Sequence, residues 1–427
     1  MKKLKILFCL ILLPFFNIKG QINTYSPYSS FGLGQLHNCN SISNMSMGGL
    51  SISVSDHYSI NYKNPATYSF LNQTSFELGL QSSFFNMSQD NLHQKNFVTS
   101  LSNIGLGFPI SEKIGFTIGL LPYSSVGYSV KSQVLNHDEI GLVDYTYSGA
   151  GGLNKFIIGA SWSLRKTDNM NISIGSNWSY FFGKMDKTTT ISTANSSIDF
   201  REQESKMIND FNFELGLLFN YTRNDYIFNL GTTFTPKTNF ESATNVFQHT
   251  YINSGGYESF IDTILYVTGD QAYITMPFSY GIGLSIESSE QWLVGLDYNY
   301  TNWQSTNIGS YMEDKSEIIF GAQFIPNKED IHNYFNRVEY KFGCSYGFGY
   351  LDLANATGLN SELSLLKDIA VSAGLALPMN RVSSKANIGV RYGHRGYSGD
   401  NLIVENYFTF YLSMTLNDKW FKKRKID

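Results

Sequence analysis

Seven histidines, His37, His57, His93, His137, His249, His332 and His394, are the first residues to test for chemistry. A hydrolytic centre needs a nucleophile and a base held in reach of each other. Only His394 lies beside a regular strand pattern and close to a hydroxyl, Ser398, and alternation from Ile388, Val390 and Tyr392 turns it outward, where a hydrated interface residue is the simpler reading. No C-x-x-C, H-x-x-x-H or paired-carboxylate spacing suggests a metal. The sequence implies no cofactor and no enzyme. Cys39 and Cys344 are the two cysteines outside the N-terminal apolar run, and a disulfide between them is disfavoured because Cys344 shares the apolar face of its strand while Cys39 precedes the strands altogether. The one short motif with its own mechanics is Asn64-Pro65-Ala66: Pro65 fixes φ and moves Asn64 out of the helical region, and the Asn64 side chain is suited to cap a turn over Ala66 to Leu71.

What positions such residues follows from composition and period. Charged residues make up 15% of the 427, aromatic residues 15% and hydrophobic residues 42%, with 37 Gly and 9 Pro. That charge is well below the ~25% of an average soluble chain. The sequence pI near 6.0 removes the basic footprint of a nucleic-acid binder, so no nucleic-acid partner is expected. Lys2, Lys3 and Lys5 followed by the apolar run Ile6 to Phe16 and by Gly20 form a secretion signal over residues 1–20. Its removal leaves 27 basic against 35 acidic side chains.

Beyond the signal no stretch approaches the roughly 18 apolar residues of a membrane helix. Alternation dominates instead. Val338, Tyr340, Phe342, Cys344, Tyr346, Phe348 and Tyr350 alternate with Glu339, Lys341, Gly343, Ser345, Gly347 and Gly349, and Phe211 to Tyr221 and Trp292 to Tyr300 repeat the pattern. The non-apolar face is Gly, Ser, Asn and Thr rather than Lys and Glu. A soluble sandwich would charge that face; a closed barrel in a membrane would not, and closure satisfies every backbone group in lipid. The expected fold is all-β, an antiparallel transmembrane barrel of about 14 strands with an N-terminal plug, in the outer membrane of a Gram-negative bacterium and in contact with its lipid. The expected divisions are a signal peptide over 1–20, a plug or hatch over 21–72, the barrel over 73–416 and a basic tail over 417–427. Residues 240–273 read as an extracellular loop, and 131–152 as room for one more strand. Tyr298, Tyr300, Trp303, Tyr407 and Tyr411 read as interfacial girdle. Arginine is expected to be tolerated at Gly343 or Asn212, in a wet lumen, but not at Phe342, Tyr346, Leu296 or Phe213.

The run Met47-Gly48-Gly49 through Ser55-Asp56 to Asn64-Pro65-Ala66 resembles the N-terminal signature of the FadL family of outer-membrane transporters for hydrophobic compounds, although the glycine that follows the motif in that family is Thr67 here. Pro277 to Gly283, Trp292 to Asp297 with Thr301-Asn302-Trp303, and Gly231 to Pro236 are similar to later parts of the family. The resemblance implies passive uptake of hydrophobic small molecules such as long-chain fatty acids or aromatic compounds, with sideways release into the bilayer, and gives Asn64, Pro65 and Ala66 the role of hatch positioning. Apolar residues on otherwise polar inward faces, Leu218 and Leu293, and Phe31, Leu33 and Leu36 of the plug are the pocket candidates. Inward Glu77, Glu214, Asp297, Glu339 and Arg391 keep the rest of the lumen polar. The alternative function is an accessory or structural subunit of an outer-membrane protein machine. Lys422 to Lys425 of the basic tail read most simply as a solvated charged end, and would also suit acidic lipid or a protein partner.

Overall fold

The computed structural model describes residues 24–420 apart from 91, 138–140, 168, 194–195, 255, 289–290, 354–364, 380–382 and 397–401. The expected signal, the lysine-rich tail and Ser398 lie outside the described residues. Seventeen strands follow in chain order: β1 (Gln35–Leu36), β2 (Thr74–Gln89), β3 (Leu92–Pro109), β4 (Ile114–His137), β5 (Gly141–Lys166), β6 (Met170–Thr193), β7 (Ile198–Arg223), β8 (Tyr226–Thr235), β9 (Thr238–Ser254), β10 (Tyr257–Met276), β11 (Ser279–Ser288), β12 (Trp292–Thr301), β13 (Met312–Phe324), β14 (Glu339–Asp352), β15 (Leu365–Pro378), β16 (Lys385–Arg395) and β17 (Val404–Asp418). Fourteen of them, β2 to β8 and β11 to β17, form a closed antiparallel wall. β8 pairs directly with β11, and β17 closes on β2 from Asp418↔Thr74 to Val404↔Ser88.

Period-2 alternation sorts the side chains of this wall. Phe342 is 59% exposed on the outside, with Tyr346, Leu296 and Phe213 facing the same way, while Glu77, Asp297, Glu339 and Arg391 are buried within. Tyr407 and Tyr411 are also buried inside, because Phe408, Phe410 and Leu412 take the outward positions between and beside them; the expected girdle assignment is corrected here. Trp303 is likewise buried, since the chain leaves β12 at Thr301 and turns inward, stacking the indole edge-on to Tyr350 at 5.1 Å.

At one end of the wall the connections are short, such as Asn224-Asp225, and β2 begins and β17 ends there. Towards the other, loop end, strand length becomes uneven. β8, β11 and β12 have 10 residues each, near the roughly 9–11 that a membrane requires, whereas β5 and β7 have 26. Residues 131–137 and 141–152 therefore form no extra strand but prolong β4 and β5, and the segment expected as a loop over 240–273 is built from two strands, β9 and β10. β9 pairs with the upper half of β7, Ile198↔Ile252 to Ile208↔Ser242. β4, β5, β6, β7, β9 and β10 thus continue as one sheet above the rim.

Residues 24–73 run through the barrel and bond to its wall on every side. The Asp297 carboxylate on β12 accepts from the Ser51 and Ile52 amides at 2.7 and 2.8 Å. Gly48 N donates to Ser372 Oγ on β15 at 2.7 Å, Tyr68 OH donates to Asn177 Oδ1 on β6 at 2.9 Å, and Lys385 on β16 pairs with Asp56 at 3.4 Å. Small inward residues make this approach possible. A Cβ on Gly343 would collide with the Met47 backbone, and one on Gly231 with the Ile52 carbonyl. The inward glycine face is therefore a close-packed seat, not a wet lining, and arginine at Gly343 is excluded by volume. Asn212 is buried as well.

Candidate functional site

The Asn64-Pro65-Ala66 step sits where three parts of the molecule meet. Pro65–Phe70 form a 3-10 helix with Asn64 as its N-cap, whose Oδ1 accepts from Ala66 N at 3.1 Å. The same side chain donates from Nδ2 to Ile52 O at 2.7 Å and to Leu217 O of β7 at 3.2 Å. One amide thereby ties the helix, the preceding loop and the wall together. Gly216 leaves room for it: a Cβ there would meet Asn64 Oδ1.

A second feature is a seam in the wall. β3 and β4 pair only from Pro109↔Gly115 to Ile104↔Leu120, although β3 continues to Leu92 beside β2 and β4 to His137 beside β5. The β4–β5 register shifts at Pro122/Ser124, and a proline has no N–H to give a neighbour. From the inside, β1 lies against the freed β4 edge, Gln35↔Ser125 and Leu36↔Ser124, and His37 N donates to Tyr123 O at 2.9 Å.

Behind the seam is a cavity of about 160 Å³, reached by Ser102 and Pro122 from its two flanks and lined deeper by Leu36, Tyr407, Tyr411 and Arg391. It is comparable to a ~150 Å³ engineered cavity that takes up benzene. Its charged lining is Lys315, Arg391 and Arg395 against Glu317 and Asp368. Arg395 pairs with Asp368 at 2.7 Å. Arg391 is 7% exposed and donates to Ser345 Oγ at 2.9 Å, and no carboxylate lies within ion-pair distance of it among the described residues.

Three of the five pocket candidates come together: Phe31, Leu33 and Leu36 pack in one apolar cluster with Trp303 and Tyr350, and Leu36 also lines this cavity. Leu293 packs elsewhere, with Met47, Leu50, Val54 and Ile319, and Leu218 is buried apart from both clusters. Sequence reasoning missed Tyr407, Tyr411 and Arg395. Parity within β16 and β17 was the available signal, since all three fall opposite the outward phenylalanines and leucines or beside Arg391. Among the histidines, His394 is exposed and bonded to Asn406 Oδ1 at 2.8 Å, while His93, His137 and His249 also prove to lie on strands. Both cysteines are free, with Cys344 exposed.

The third feature is the sheet above the rim. Its strands turn polar there: β6 runs Lys184, Asp186, Lys187 and Thr188 to Thr190, and β7 runs Asp199, Arg201, Glu202, Glu204 and Lys206. β10 does not. Phe260 and Tyr266 are 59% and 68% exposed, and Tyr257, Ile264 and Tyr273 are also open.

Compared with solved structures, the chain resembles the P. putida toluene transporter TodX at 15% identity and a TM-score of 0.57, over 88% of this chain and 98% of that one. A FadL homologue of Pseudomonas aeruginosa matches at 10% identity and TM-score 0.54, over 88% and 98% of the two chains. CymD, a monoaromatic hydrocarbon channel, matches at 11% and 0.52, over 91% and 99%. At such identities the likeness is one of fold alone: a FadL-like antiparallel β-barrel. No curated protein matches the chain in sequence. One family profile, BamG, matches residues 1–427.

Proposed function

The chain belongs to the BamG family, and from that membership we propose that it is an accessory barrel of an outer-membrane protein machine. The observation carrying this reading is the six-stranded sheet that climbs past the rim and ends in a strand rich in exposed aromatic and aliphatic side chains. A lone barrel has no use for such a surface in water, where contiguous apolar area marks an interaction site. In this role residues 24–73 are a plug: they fill the interior so that a barrel wide enough to leak stays closed while it serves as a docking body. Asn64, Pro65 and Ala66 hold the plug at its fixed angle. Depletion of the protein is the test. The expected result is a detergent-stable complex with other outer-membrane proteins at fixed stoichiometry and loss of folded barrels from membranes of depleted cells; a solitary barrel and unchanged membrane protein content would overturn it.

A second reading, passive uptake of a hydrophobic small molecule, is favoured by the β3–β4 seam and the cavity behind it. An apolar body sits against Leu36, Tyr407 and Tyr411, and Arg391 supplies a polar anchor that suits an acidic end group. Release is sideways through the seam into lipid. Native mass spectrometry separates the two: a bound aliphatic or aromatic acid lost in Arg391→Met supports uptake.

A further inference from the structure

We infer that the free edge of β10 receives an extended β-strand of a protein partner, and that the Asn307 side chain holds part of that edge until the partner arrives. The inference deepens the accessory-barrel reading and rests on it. β10 pairs with β9 along its length, Tyr257↔Ser254 to Met276↔Thr238, and has no second strand in register among the described residues. A long apolar edge of this kind is a template for another chain, and proteins normally shorten, charge or cover it.

Here the cover is one amide. Asn307 Nδ2 donates to Tyr273 O at 2.7 Å, and its Oδ1 accepts from Thr275 N at 2.8 Å. Those are the two bonds that the backbone of an added strand would make. They also reveal the direction of the edge: residues 273 and 275 present their backbone groups away from β9, so within the shift-free run Asp270–Met276 residue Gln271 does the same. Above it, three register shifts break the edge into short runs, which confines regular pairing to the base of the hairpin. Tyr266 and Tyr273, both strongly exposed, stand where the flanking residues of an added strand would pack. Strand addition takes affinity from such main-chain bonds and specificity from the side-chain contacts beside them.

The edge geometry supplies an experiment with opposite signs. Gln271→Pro removes an outward N–H while keeping the bonds to β9, whereas Ala272→Pro removes a bond to β9 and serves as the structural control. Asn307→Ala uncovers the edge. A photo-crosslinker at Gln271 or Tyr273, in native membranes with identification of the joined peptide, should give adducts at alternate residues of one extended segment in an outer-membrane protein. With the probe at Tyr273, inside the shift-free run, Gln271→Pro should lower their yield about tenfold and Asn307→Ala should raise it about fivefold. Adducts confined to lipid or to a second copy of this chain would overturn the inference, as would yields indifferent to both substitutions in a complex that still assembles. Failure to isolate any complex would overturn the accessory-barrel reading itself, and this inference with it.

Discussion

Asn64→Ala is the sharpest probe of how the N-terminal segment is held. The substitution removes the N-cap acceptor of the Pro65–Phe70 turn, a loss of about 1 kcal/mol. It also strips the buried Ile52 carbonyl of its donor, which costs about 1–3 kcal/mol. The seat over 51–70 should therefore loosen by roughly 2–4 kcal/mol, and at 1.4 kcal/mol per factor of ten its opened population should rise about thirtyfold to a thousandfold. Asn64→Ser keeps a capping oxygen and loses only the donations, so it should fall between. Hydrogen exchange read by mass spectrometry in lipid nanodiscs measures this, with the β17–β2 ladder as internal reference, since that closure does not involve Asn64. Unchanged protection over 51–70, or equal acceleration of β2 and β17, would refute the reasoning.

Leu296→Arg should cost about 2–4 kcal/mol in folding titrations from urea into vesicles, because its side chain faces lipid midway along the ten-residue β12. Gly343→Ala should also destabilise, for the opposite reason that a methyl meets the Met47 backbone, and a neutral result would mean that the seat yields. Ser102→Trp should fill the cavity behind the seam and lower the uptake of a fluorescent aromatic acid, while unchanged uptake would place its path elsewhere. Burial alone would raise the Asp56 pKa, but Lys385 and then Lys341 outweigh it and hold the carboxyl at about 2 against an ordinary 3.8. A depressed carboxylate stabilises above its unfolded pKa, so this contribution is complete above about pH 4 and disappears as pH falls towards 2. Protease sensitivity around residues 54–58 should rise in that window in the parent protein and be flat in Asp56→Asn.

The wall was legible because lipid on one side imposes a strict two-residue period, as at Phe342, Cys344 and Tyr346. Where the lipid ends, the period fades. β6 above Lys184 is polar on both faces, and β10 places apolar residues side by side at Phe260-Ile261 and Ile264-Leu265, so neither reads as a two-faced strand. The inner face misled for another reason. Gly216, Gly231 and Gly343 carry no sign of whether water or backbone lies against them, and only the path of residues 46–66 decides. Asn64 was readable as a cap from Pro65 alone, yet its bond to Leu217 depends on a strand 153 residues away. Arg391 could be placed inward by parity, but that no carboxylate among the described residues pairs with it is a matter of how β14, β15 and β17 converge around it.

The glycine-lined seat also bears on how the molecule can be made. Residues 43–68 are bonded to β6, β7, β12, β14 and β15 with no space for a methyl group at several crossings. A finished cylinder would have to admit this segment through an opening and then fit it blindly against walls already fixed. Synthesis offers a simpler schedule, because the segment precedes every wall strand in the chain. It can serve as a mandrel on which β2 onwards are laid down, so that the final β17–β2 zipping inspects whether the interior is correctly filled. A misplaced interior then shows itself as a barrel that fails to close.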